Sequence, residues 1–148
     1  MDDVKQNLVL AEQKAKELFN TVEQRGLIIP GKYESQLSAE IVKVAKELGI
    51  ENFWHKKIVR AGANTLQPYN GDPPDLVIQN DDIVFLDFGP VFKGWEADLG
   101  RTFVIGSDPM KLKLKKDIED AWHEANTWYS QQSDLTGARF FHYLAELA

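Results

Sequence analysis

Two aspartates, Asp87 and Asp98, are the residues of this 148-residue chain whose placement most directly calls for chemistry. Asp87 lies within Ile83-Val84-Phe85-Leu86-Asp87-Phe88, where every neighbour is apolar. A carboxylate there cannot stay both charged and unpaired, because desolvation costs on the order of several kcal/mol. It needs a cation, several hydrogen-bond donors or a raised pKa. If Lys93 and Gly94 form a two-residue hairpin turn, cross-strand partners have positions summing to 187. Asp87 then faces Gly100, and Asp98 lies two residues from Gly100 on the same strand, so both carboxylates project from one side. Diagonal neighbours have α-carbons roughly 7–8 Å apart, close enough for two inward-reaching carboxylates to bracket divalent metal ions. Gly100 leaves room for them. The relation depends on an even turn; a one-residue bulge would put the two groups on opposite faces.

Two readings of this pair stay open at the level of residues. Hard oxygen donors suit Mn²⁺, Mg²⁺ or Fe²⁺, with Co²⁺ or Zn²⁺ admitted if a histidine joins them. Alternatively, Asp98 pairs with a nearby cation such as Arg101 or Lys93, and Asp87 accepts backbone donors at a strand end. Asp81 and Asp82 precede the strand and belong to a solvated turn.

The elements that must hold the pair are legible from periodicity. Ile83 to Phe88 and Glu96 to Ile105 are the strongest strands, and Trp54-His55-Lys56-Lys57-Ile58-Val59 is a further strand candidate. From Ala61 to Asp75 the sequence has Gly, Asn and Pro without periodicity, so a long loop is predicted. Ahead of these, Val4, Leu8, Ala11, Ala15, Leu18, Phe19 and Val22 recur at helical spacing with Gly26 as stop. A second helix carries Leu37, Ile41, Val44, Ala45 and Leu48 up to Gly49. After the hairpin, Ser107 is the expected N-cap and Pro109 lies in the first turn. That helix aligns Leu114, Ile118, Ala121, Trp122, Ala125, Trp128 and Tyr129, a stripe expected to be core. A last helix begins near Asp134-Leu135-Thr136. Helix, helix, strands, helix, helix makes the class α+β.

Composition narrows the function classes. Hydrophobic residues at 43% and charged residues at 27% are ordinary for a globular domain. No apolar run reaches the roughly 18 residues of a membrane span, so no membrane partner is expected. The acidic start, Met1-Asp2-Asp3, does not read as a secretory signal. The chain has no cysteine, which excludes disulfides and thiolate metal sites and is compatible with a cytoplasmic location. A net charge of −6 argues against a nucleic-acid partner. The short run Lys111 to Lys116 reads as a solvated helix face.

The run Asp81-Asp82-Ile83-Val84-Phe85-Leu86-Asp87-Phe88-Gly89-Pro90, followed by Gly94-Trp95-Glu96-Ala97-Asp98-Leu99-Gly100-Arg101-Thr102-Phe103, resembles a known hairpin. It is similar to the first metal-ligand hairpin of the pita-bread superfamily, which includes methionine aminopeptidase, prolidase, Xaa-Pro aminopeptidase and creatinase. In that family an Asp and a second Asp eleven positions later, just before an Arg/Thr-type strand, bind a dinuclear metal centre; Asp87 and Asp98 match. The resemblance covers essentially the whole chain and is nearest to the Xaa-Pro peptidase branch.

The resemblance implies a peptide hydrolase using two divalent metal ions, Mn²⁺ foremost, with Co²⁺, Fe²⁺ or Zn²⁺ as alternatives. Asp87 is expected to contact one ion through both oxygens and Asp98 to bridge the pair. A peptide, Xaa-Pro among others, is the implied substrate. In the family a His and two Glu ligands follow well downstream of the second Asp, and this chain ends shortly after the helix that precedes them. His123 and His142 fall in helical segments and do not replace them. The expectation is therefore one incomplete pita-bread catalytic domain over residues 1–148, with its ions weakly bound or absent and no catalytic residue assigned. Related enzymes also place a substrate-binding His in the loop before the first Asp. Here that loop reads Thr65-Leu66-Gln67-Pro68-Tyr69-Asn70, without one. A non-catalytic interaction module of the same fold is the alternative, and pairing of two copies into a homodimer through apolar surface is a further expectation.

Overall fold

The predicted amino-terminal helix forms as α1 (Asp3–Gln24) in the computed structural model, which describes residues 3–147. Ala11, Ala15, Leu18, Phe19 and Val22 are buried along one stripe. Val4 and Leu8, placed on that stripe by spacing, are exposed. Gly26, with φ of 60°, ends the helix: its N–H donates to the Glu23 carbonyl and Leu27 N–H to Val22, as in a Schellman stop. The second predicted helix is α2 (Glu34–Glu47), closed by Gly49 at φ of 78°. Its free amino-terminal donors find remote partners, Glu34 N–H giving to Leu76 O and Ser35 N–H to Asp75 Oδ1.

Six strands follow, β1 (Asn52–Phe53), β2 (Ile58–Ala61), β3 (Ile83–Phe88), β4 (Pro90–Phe92), β5 (Trp95–Glu96) and β6 (Leu99–Val104), with a 3₁₀ turn over Gly62–Leu66. They make two antiparallel sheets of order β1-β4-β5 and β2-β3-β6. Lys93 (φ 52°) and Gly94 (φ 81°) form the two-residue turn, with both central residues left-handed as a type I′ hairpin requires. Phe92 faces Trp95 and Asp87 faces Gly100, so paired positions sum to 187 along the whole hairpin, as the sequence predicts. Along β3 the alternation buries Val84, Leu86 and Phe88 against Phe19, Leu37 and Ile41. The other face carries Ile83, Phe85 and Asp87, each partly exposed.

Two predicted strands are interrupted, and the reason is the same. The hairpin bends between the sheets, so Ala97 and Asp98 separate β5 from β6 in what the sequence suggests is one strand, 96–105. On the neighbouring strand, Phe53 pairs with Pro90 (positions summing to 143) whereas Ile58 pairs with Asp87 (summing to 145). Two additional residues are thus inserted between Trp54 and Ile58, and residues 54–57 are a bend rather than the predicted strand. The long predicted loop from 61 to 75 begins with the 3₁₀ turn and is ordered by Arg60. That guanidinium donates to the carbonyls of Gln67, Pro68 and Gly71.

Residues Met1–Gly106 and Ser107–Ala148 form two compact units. The second contains α3 (Pro109–Ser130) and α4 (Gly137–Leu147). The cap of α3 is Asp108, one residue beyond the predicted Ser107, because Pro109 takes the first helical position. Its carboxylate accepts from Met110 N and Lys111 N. The basic run behaves as a salt-bridged helix face, with Lys113–Asp117, Lys115–Glu119 and Lys116–Asp120 pairs. The stripe expected to be core is not: only Ala125 is buried, and Leu114, Ile118, Trp122 and Tyr129 are exposed. Two helices cannot enclose an apolar face this wide. Trp128 does stack on Tyr143, with ring centroids 4.1 Å apart. Among the described residues no helix is long and apolar enough to cross a membrane.

Candidate metal centre

Asp87 is on the central strand of its sheet, flanked by Ile58 and Gly100. Period-two alternation turns it away from the core, and its side chain keeps 32% of its exposure, so its apolar sequence neighbours do not entomb it. Asp98 occupies the bend between β5 and β6, with a side chain 61% exposed. Arg101 and Lys93, the cations that could instead have paired with Asp98, are engaged elsewhere. Arg101 donates to Asn20 Oδ1 at 3.0 Å and lies 3.7 Å from Glu23, while Lys93 lies over the Phe92 ring. Asp87's pKa is raised, first by desolvation and then by the Asp98 charge. The His55 and Arg60 charges oppose this without cancelling it.

The residue that joins the two carboxylates is His55, which lies in the inserted bend. Its Nε2 is 3.7 Å from Asp87 Oδ1 and 3.5 Å from Asp98 Oδ1, and its side chain is only 7% exposed. That nitrogen is buried and has no hydrogen-bond partner among the described residues. The ring is held on several sides. Its Nδ1 lies 2.6 Å from the Lys56 carbonyl, the Trp54 indole packs against it edge-on at 4.5 Å, and Tyr69 stands at 6.4 Å. Trp54 is itself anchored, its backbone N–H to Gly89 O and its indole N–H to Ala97 O. Beneath them, a Cβ at Gly89 would lie 2.3 Å from His55 Cδ2 and 2.4 Å from Trp54 Nε1, so only glycine permits this approach.

Sequence reasoning missed His55 because it placed the residue in a continuous strand. The available signal was the Trp-His-Lys-Lys run, whose polar residues break the apolar pattern that resumes at Ile58. His123 and His142 lie on α3 and α4, as expected. Of the loop residues, Tyr69 reaches the His55 side, while Gln67 gives its carbonyl to Arg60.

The donor set fits a divalent cation. One ligand atom from each of His55, Asp87 and Asp98 lies within 4.8 Å of the others. With metal–ligand bonds of about 2.1 Å, ligand atoms around one ion are at most about 4.2 Å apart. Both separations from Nε2 already satisfy this limit, and the two carboxylates need close only slightly. Because the Lys56 carbonyl can only accept, Nδ1 carries the hydrogen, and in the neutral ring Nε2 presents a lone pair to the carboxylates. An orphaned buried nitrogen facing two carboxylates is the pattern a cation resolves.

Comparison with known proteins agrees with this chemistry. The profile of Metallopeptidase family M24 matches residues 6–131. The Xaa-Pro dipeptidase of Pyrococcus horikoshii is 30% identical over 86 residues, 58% of this chain and 24% of that protein. The crystal structure of the prolidase from Pyrococcus horikoshii superposes with a TM-score of 0.73 at 22% identity, covering 84% of this chain and 35% of the other. The Xaa-Pro dipeptidase from Bacillus anthracis gives 0.69 at 30% identity, covering 84% and 34%. The chain therefore spans about a third or less of the length of these relatives.

Proposed function

Because the chain belongs to metallopeptidase family M24 and has the α+β pita-bread fold, we propose that it forms part of a metal-dependent peptide hydrolase of the Xaa-Pro dipeptidase or aminopeptidase type. Asp87 and Asp98 are its first two ligands to a dinuclear centre, with Mn²⁺ the leading candidate. The observation that carries this reading is the register of the hairpin. It sets Asp87 opposite Gly100 and brings both carboxylates to one side, where each lies within 3.7 Å of a common buried nitrogen.

Divalent ions held by Asp87 and Asp98 would supply Lewis-acid activation of water and stabilise the charge that develops at a scissile carbonyl. The chain's own residues do the positioning. The central strand fixes Asp87, the hairpin bend presents Asp98 toward solvent, and Trp54 and Tyr69 pack around the His55 ring beside them. No residue of this chain is assigned as the proton-shuttling Glu or as the remaining His and Glu ligands of such a centre.

Calorimetric titration of the metal-free protein with Mn²⁺ tests the assignment. Binding that both Asp87→Asn and Asp98→Asn abolish is expected. Binding that neither substitution changes would show that the metal site lies elsewhere.

A further inference from the structure

We infer that His55 is a third, nitrogen ligand at this site, making His55 Nε2, Asp87 and Asp98 a three-donor set for one borderline divalent cation, Zn²⁺ or Co²⁺. The inference rests on the reading of Asp87 and Asp98 as ligands and adds a donor type to it. Four observations converge on it. The nitrogen is buried, has no hydrogen-bond partner among the described residues, and lies 3.5 and 3.7 Å from the two carboxylates. With bonds of about 2.1 Å these separations subtend roughly 110–125° at an ion, near the tetrahedral value that Zn²⁺ favours. The other ring nitrogen lies 2.6 Å from a backbone carbonyl, the outer arrangement that fixes the tautomer and raises the basicity of metal-bound histidines. Finally, Gly89 leaves the space the ring occupies, and Trp54 and Tyr69 hold its orientation.

A satisfied structural histidine would look different. With its Nδ1 already bonded, it would turn Nε2 to a hydrogen-bonding group at about 2.9 Å or to water. Here the burial of that nitrogen and its distance from both carboxylates leave a gap of ionic size. Replacing carboxylate-only coordination by a mixed nitrogen and oxygen set shifts preference from Mg²⁺ and Mn²⁺ toward Co²⁺ and Zn²⁺.

The test is titration of the 148-residue protein with Zn²⁺ and separately with Mn²⁺, for the wild type, His55→Gln and Asp98→Asn. Imidazole ¹⁵N spectra of the unsubstituted protein are recorded with and without Zn²⁺. The expected result is one tightly bound Zn²⁺ whose affinity falls roughly tenfold or more in His55→Gln, since even outer partners of a ligand contribute that much. Mn²⁺ affinity falls less, and the His55 Nε2 resonance moves on Zn²⁺ addition while those of His123 and His142 do not. The NMR readout needs no variant, so a folding defect in His55→Gln cannot mask the answer. Zn²⁺ binding that requires Asp98 but leaves the His55 resonance and the His55→Gln affinity unchanged overturns the third ligand while sparing the carboxylate assignment. Binding indifferent to Asp98 as well overturns both.

Discussion

Asn64 donates its side-chain amide to Glu34 at 2.8 Å, and both residues are buried although they lie 30 positions apart. The same carboxylate accepts Ala61 N–H at 2.6 Å and Leu76 N–H at 3.3 Å, and it sits at the amino-terminal end of α2, where the helix dipole favours negative charge. One buried acid thereby ties α2 to the end of β2, the 3₁₀ turn and the return from the long loop. Glu34→Ala leaves those donors unpaired and is expected to cost about 2–4 kcal/mol, read from urea unfolding. A loss below about 0.5 kcal/mol would mean water replaces the carboxylate without penalty.

Asp87 gives a pH signature in the metal-free protein. Its folded pKa lies above the ordinary 3.8, chiefly through desolvation, so folding favours the protonated form. Its stabilising contribution is complete below pH 3.8 and disappears as pH rises through the raised value. At neutral pH the ionised group is a net cost. Asp87→Asn is therefore expected to raise the thermal midpoint of the metal-free protein by a few degrees at pH 7, with the advantage fading as the pH is lowered. Adding Zn²⁺ or Mn²⁺ should reverse the order, since only the aspartate binds. A midpoint difference that does not vary with pH would contradict the assignment.

Gly89→Ala places a methyl group 2.3–2.6 Å from His55 and Trp54. Overpacking of this kind costs about 1–3 kcal/mol, and here the yielding parts are the two rings. The expected outcome is a shifted Trp54 fluorescence spectrum and Zn²⁺ affinity reduced at least as much as in His55→Gln. Unchanged affinity would show that the ring position is not required for metal binding.

Arg60 is buried, and its guanidinium is satisfied by three carbonyls of one loop. Arg60→Met keeps much of the volume but frees those carbonyls. Faster amide exchange confined to residues 67–71 is expected, with a stability loss of about 1–3 kcal/mol. Exchange no faster than in the wild type would show that the loop is held by its own turns.

The hairpin was legible because its turn chemistry and its alternation agree: Lys93-Gly94 suits a two-residue turn, and given that turn Asp87 falls against Gly100. The helices α1 and α2 were legible from periodicity and glycine stops. What sequence could not reveal was the change of register beside the hairpin. Residues 54–59 read as one extended segment, and nothing local says that the chain before it pairs with β4 and the chain after it with β3 in a shifted register. Hence His55 was assigned to a strand when it lies in the insertion. The exposed Trp122 and Tyr129 were misjudged for a related reason, since a helical stripe reports an apolar face without reporting what covers it.

The two extra residues between Trp54 and Ile58 have a consequence for how such a site can be altered. The carboxylates are dictated by the hairpin's pairing, whereas the imidazole is supplied from a side segment whose length is free to vary without disturbing that pairing. Donor identity is thus separable from donor scaffold. Shortening the 54–57 segment by two residues would restore an unbroken strand and delete the nitrogen while leaving both oxygen donors where they stand. A protein engineer could retune the ion preference of this centre through that segment alone.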